Sequence, residues 1–126
     1  MDVRATSLGF GALLYELRAA RHLSVAKASS AIGMSAGYYC ELENSKRAPP
    51  KLEVVIRMAK GLLLTEREQY SLINAAEVER LSSMIAPHCP PHVTEFICSV
   101  LAHRACLDRG HVQDLQAYLE QLLAEE

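Results

Sequence analysis

Apolar residues recur along this chain at intervals of three and four, almost never in strict alternation. Phe10, Leu13, Leu14 and Leu17 stand at i, i+3, i+4 and i+7. That spacing gathers side chains on one face of an α-helix, so one amphipathic helix is expected from Leu8 to about Arg21. Ser24 is placed to cap a second helix, Val25 to Ile32, with Ala28, Ala31 and Ile32 inward. Gly33 supplies a tight turn, and Ser35 caps a third helix ending near Asn44. Pro49 and Pro50 interrupt the chain and open a fourth helix, whose inward residues are Leu52, Val55, Ile56 and Ala59. In the stretch TERE, Thr65 and Glu68 stand three apart, a capping-box spacing that begins a fifth helix lasting to about Ile85.

The segment APHCPPH breaks the pattern with three prolines and marks a linker or sharp turn. Beyond it come two more stripes. One is Val93, Phe96, Ile97, Val100 and Leu101, and the other is Val112, Leu115, Leu119 and Leu122. These predict two helices forming an αα-hairpin. The fold class is therefore all-α, with a five-helix unit over 1–86 and a helical hairpin over 87–126. The two stripes carry more apolar surface than an isolated helix pair can bury on itself. They either pack back onto the fifth helix or pair with a second copy, and the homodimer is the expectation taken forward. Its contact residues would be Val93, Phe96, Ile97, Val100, Leu101, Leu115, Leu119 and Leu122.

Charge divides the chain the same way. Residues 1–60 hold nine Lys/Arg against five Asp/Glu, and residues 61–126 hold four against ten. The net charge of −2 argues against indiscriminate coating of nucleic acid, while the basic first half is fit to approach a polyanion. No apolar run reaches the ~18 residues that a membrane span needs. The first residues do not read as a secretory leader, and the four Cys make no CxxC pair. A reducing, cytoplasmic location is expected.

Two short helices joined by a turn, with small residues at their crossing, make a helix-turn-helix layout. The stretch FGALLYELRAARHLSVAKASSAIGMSAGYYCELENSKRAPP resembles the five-helix DNA-binding domain of Cro-type (XRE) repressors. The resemblance runs over residues 8 to about 76. It is carried by Gly11, Leu14, Leu17, Arg18, Leu23, Ser24, Ile32, Gly33, Ser35, Tyr38, Leu42, Glu43, Arg47 and Pro49. It implies an ion pair between Arg18 and Glu43 that locks the third helix to the first, making Glu43 structural. Tyr39 and Leu42 read as core.

What faces outward on the third helix is then Ala36, Gly37, Tyr38 and Glu41. Small side chains at Ala36 and Gly37 let the backbone approach a major groove and meet a thymine methyl, and Glu41 can accept from cytosine N4. The amides opening the second and third helices, at Val25 and Ala36, are placed for phosphates. Lys27, Lys46 and Arg47 supply charge, the Ser24, Ser35 and Tyr38 hydroxyls supply donors, and Arg4 would reach a minor groove from an N-terminal arm. The chain departs from the family at Val25, where Gln is usual, and at Glu41, where a basic or amide side chain is usual. His22 and Ser45 stand where Gly is common, and Asn44 is expected to take the left-handed conformation of the second turn.

The run PHCPPH, with Cys98, His103 and Cys106, lacks the paired spacings of a zinc site, and Cys98 and Cys106 fit an apolar helix face. No nucleophile–base pair, phosphate loop or carboxylate pair is evident, so neither enzyme activity, a metal nor a cofactor is expected. The resemblance implies a regulator, most simply an autorepressor binding a palindromic DNA operator as a homodimer, of the kind found on mobile elements. The alternative is a protein-interaction adaptor, or an inhibitor of a host nucleic-acid enzyme, on the same scaffold.

Overall fold

The structure, a computed structural model, describes residues 9–125; Arg4 and Leu8 lie outside them. Among these residues there are seven α-helices and no strand: α1 Phe10–Ala20, α2 Val25–Ile32, α3 Ala36–Glu43, α4 Leu52–Gly61, α5 Glu66–Ile85, α6 Pro91–Ala102 and α7 Arg109–Ala124. Single 3-10 turns at Ala86–His88 and Arg104–Cys106 flank α6.

The helix starts follow from side-chain capping. Ser24 and Ser35 each accept from the amide three residues on, at 3.1 Å, and Thr65 closes a full capping box with Glu68. Without a side-chain cap of its own, α1 is capped from a distance, where the Glu79 carboxylate on α5 accepts from the Phe10 amide at 2.7 Å.

The helix ends share one device. After α1, α2, α3 and α4 the chain closes a bond from the amide of Leu23, Met34, Lys46 or Leu64 to a carbonyl five residues back. That six-to-one bond requires a left-handed residue just before its donor. The left-handed residues are His22, Gly33, Ser45 and Leu63, with φ of 55°, 91°, 58° and 55°. Asn44 does not take this role. At φ −91° it is the cap residue itself, one position too early for the left-handed turn.

A single core lies between α1, α2, α3, α4 and the first half of α5. Tyr39, Phe10, Leu14, Leu42 and Met58 are its largest fully buried side chains. Two inward faces differ from the sequence pattern. On α4 the buried set is Val55, Met58 and Ala59, continued by Leu62, while Leu52 is exposed and Ile56 half-buried. The spacing 55, 58, 59, 62 is the expected pattern displaced by three residues, which turns the stripe by about 60° round the helix. On α2 it is Ser29, its hydroxyl satisfied by the Ala26 carbonyl, that is buried beside Ala28 and Ile32, and Ala31 is exposed. The Ala31 carbonyl still sets the approach of α4, because a Cβ on Gly61 would stand 2.9 Å from it.

Beyond Ala76 no described residue is buried. α5 extends past the core and packs along α6. Asn74 fixes that contact: its amide nitrogen donates to the Ala102 carbonyl at 3.2 Å and its oxygen accepts from Arg104 at 2.6 Å. The C-terminal helices do not close on each other as a hairpin. α6 uses α5 as its partner, and every residue of α7 is exposed.

Candidate nucleic-acid interface

α3 is anchored from behind. The Arg18 guanidinium donates twice to Glu43, Nε to Oε2 at 2.7 Å and Nη2 to Oε1 at 3.0 Å, and once more to the Leu23 carbonyl at 2.8 Å. Both charged side chains are largely buried, and the bond to Glu43 raises the Arg18 pKa above its ordinary value. Burial pushes the Tyr39 phenol far up, with the Glu43 carboxylate adding to the effect. Gly11 permits the close fit, since a Cβ there would lie 2.6 Å from the Leu42 and Glu43 carbonyls. One ion pair thus joins α1, the turn before α2 and the end of α3, and fixes which side of α3 faces out.

The outward side begins at Ser35. Ala36, Gly37 and Cys40 are exposed, and Tyr38 and Glu41 are half-exposed. Cys40 was not among the outward residues read from sequence, although it lies four after Ala36 and four before Asn44, the spacing of one helical row. The Asn44 amide nitrogen donates to the Cys40 carbonyl at 2.9 Å and approaches its sulfur at 3.3 Å. Tyr38 leans its ring on the core, which leaves its phenol as the outward group.

Glu41 is not a free carboxylate. Arg47 Nε donates to its Oε2 at 2.7 Å, and its carbonyl accepts from the Lys46 amide at 2.9 Å. The left-handed turn at Ser45 reverses the chain, and so carries Arg47 back along α3. A separation of six residues is no neighbour spacing on a helix, so this pair had no sequence signal. Hydrogen bonding to Glu41 raises the Arg47 pKa. The acidic helix therefore presents a locally neutral pair, while Lys46 and Lys27 remain exposed.

Capped helix starts with free donors stand together at α2 and α3. The first amides of a helix have no intrahelical partner and carry the positive end of its dipole. The Ser24 and Ser35 oxygens accept the Lys27 and Tyr38 amides, which leaves each hydroxyl proton free to donate. Val25 is half-buried, its side chain packed against the core.

The helix-turn-helix domain family matches this chain over residues 10–72, from the first residue of α1 into α5. The chain belongs to that family. This helix-turn-helix domain is related to the Cro-type group, and membership implies DNA as its partner. No curated protein and no solved structure matches the chain.

The remaining sequence candidates lie outside the helix-turn-helix domain. Val93, Ile97, Val100 and Leu101 are half-buried, whereas Phe96, Leu115, Leu119 and Leu122 are exposed. Cys98 lines a cleft of about 440 Å³ between α5 and α6, and Cys106 is exposed. Among the described residues no three His, Cys, Asp or Glu converge as metal ligands, and no helix is long and apolar enough to cross a membrane.

Proposed function

We propose that the protein is a sequence-specific transcriptional regulator, an autorepressor that binds a palindromic operator as a homodimer. The observation that carries this reading is the architecture of α2 and α3. Two serine-capped helix starts stand beside exposed Lys27 and Lys46, and the far side of α3 is locked to the core by Arg18 and Glu43. In this reading α3 enters a major groove with Ala36 and Gly37 leading, close enough for apolar contact with a thymine methyl. Ser24, Ser35, Tyr38, Lys27, Lys46 and the amides at Val25 and Ala36 hold phosphates and set register without reading sequence. Glu41 and Arg47 act together: Arg47 screens the carboxylate from the phosphates, and the pair opens only where a base-edge donor such as cytosine N4 replaces the guanidinium.

A single domain of this size reads a short half-site, so useful affinity requires two. The exposed apolar residues of α6 and α7 supply the surface for a second copy, and the acidic second half of the chain keeps that surface away from DNA. Repression follows from occupying a promoter that polymerase needs.

Selection of binding sites from random duplexes tests the reading. It predicts enrichment of an inverted repeat whose half-sites lie about 34 Å apart, one turn of DNA. Charge reversal at Lys46 should abolish that enrichment. Failure of folded protein to enrich any sequence would move the domain to a protein-contact role.

A further inference from the structure

We infer that Asn44 is a specificity-determining residue, an acceptor that selects adenine or cytosine at one position of each half-site. This rests on the DNA-binding reading and names the kind of base that one operator position holds. Asn44 closes the outward side of α3 as its exposed C-cap, four residues after Cys40 and eight after Ala36. That spacing is one helical row. The eight residues of α3 run roughly 12 Å, comparable to the width of a major groove, so a helix led in by Ala36 stays within the groove as far as Asn44.

An Asn side chain ordinarily offers two N–H donors and a carbonyl acceptor, and can present either. Here the fold chooses. Nδ2 donates to the Cys40 carbonyl at 2.9 Å and stands 3.3 Å from the Cys40 sulfur. The same carbonyl accepts the Asn44 backbone amide at 3.0 Å, so side chain and main chain are held on one oxygen. A carbonyl oxygen has no proton to give, so the nitrogen must face it and the amide cannot flip. Oδ1 is left pointing away from Cys40, and among the described residues nothing donates to it.

A fixed, neutral acceptor is selective in a major groove. Phosphate oxygens only accept, so none bonds to Oδ1. Guanine N7 and O6 and thymine O4 only accept as well. The donors on offer are adenine N6 and cytosine N4. Glu41 is also an acceptor, but its carboxylate is held by Arg47 and repelled by phosphates. Asn44 carries no charge and meets no guanidinium among the described residues, so it reads a base with no pair having to open.

The test is a cycle between protein and DNA, run with full-length wild type and N44A. The substitution falls on an exposed residue at φ −91°, a conformation that Ala adopts, and helicity and thermal unfolding are matched first. Both proteins select sites from random duplexes. Wild type should hold adenine or cytosine at one position of each half-site, and N44A should accept all four bases there while keeping its other preferences. An analogue of that base lacking only the amino group should weaken wild type about five- to tenfold and leave N44A unchanged. Weakening of N44A by the same factor on every sequence, with each positional preference retained, would make Asn44 a helix cap alone and overturn the inference, leaving operator binding intact. Selection by N44A indistinguishable from wild type would overturn it in the same way. Folded wild type that enriches no sequence would overturn both the inference and the DNA-binding reading beneath it.

Discussion

Arg47 reaches back six residues to hold the Glu41 carboxylate at 2.7 Å, on the helix that the proposed function sets against the negative charge of DNA. The consequence is that α3 has an acidic composition without presenting an unscreened acid. Because both side chains are well exposed, the pair matters more for what approaches than for stability.

Replacing Glu41 separates those roles. E41Q should leave thermal stability nearly unchanged and free Arg47 for phosphate. Binding to random duplex should then strengthen at low salt, and the slope of log affinity against log salt should steepen by about one. Preference for the selected operator over random DNA should fall. Salt titrations of both proteins on both duplexes read all three effects.

The Arg18–Glu43 pair behaves oppositely because it is largely buried. E43L leaves a guanidinium desolvated with only the Leu23 carbonyl to accept from it, and should cost roughly 2–4 kcal/mol. R18M alone should lose a comparable amount by stranding the carboxylate. The double variant R18M/E43L should recover most of the loss, as apolar replacement of a buried pair commonly does. Chemical denaturation of the four proteins closes the cycle.

Much of this architecture was legible because local chemistry and global packing agree. Ser24, Ser35 and Thr65 stand where a cap must stand, directly ahead of a period of three and four, and the structure puts a cap at each. The partnership of Arg18 and Glu43 was available only through resemblance, since nothing in their spacing of 25 residues brings them together. Other features depend on geometry that a single chain does not write down. The stripe on α4 could begin at Leu52 or, turned by about 60°, run on through Met58 to Leu62, and only packing decides. Two of the left-handed sites fall on Ser45 and Leu63, residues with no intrinsic preference for them, because the six-to-one bonds impose the conformation. Arg47 meets Glu41 only because Ser45 turns the chain. The hairpin expected of α6 and α7 assumed that neighbours in sequence pack together, but Asn74 and Arg104 tie the end of α6 to α5 instead.

Those left-handed residues are a direct source of stability gain. Leu63 is 83% exposed and held at φ 55°, so its side chain offers little packing against the cost of the conformation. L63G should stabilise the fold by up to about 1 kcal/mol, the relief of left-handed strain less the added freedom of the unfolded chain. G33A, at φ 91°, should destabilise by about 1 kcal/mol or more. Thermal melts of the two variants should move in opposite directions.

Acid should weaken the link between α1 and α5 through Glu68. Its carboxylate accepts from Arg21 and from the Thr65 amide, and the Arg21 bond above all lowers its pKa below the ordinary 4.5. A depressed folded pKa contributes stability that is fully present above the unfolded value and lost as pH falls through the folded one. Wild type should therefore melt above E68Q at about pH 7, and the gap should close as the pH drops well below 4.5. A gap that persisted in acid would remove the ionised pair as its cause.

On the proposed function, this helix-turn-helix domain reads DNA despite an acidic α3. Fluorescence anisotropy of the purified protein tests it most directly, against DNA from upstream of its own gene and a scrambled duplex, each at two salt concentrations. Tight binding to the upstream duplex alone is expected, with a shallow salt dependence, the mark of base-edge contact rather than phosphate attraction. Equal, weak and steeply salt-dependent binding to both duplexes, or no binding by folded protein, would contradict it.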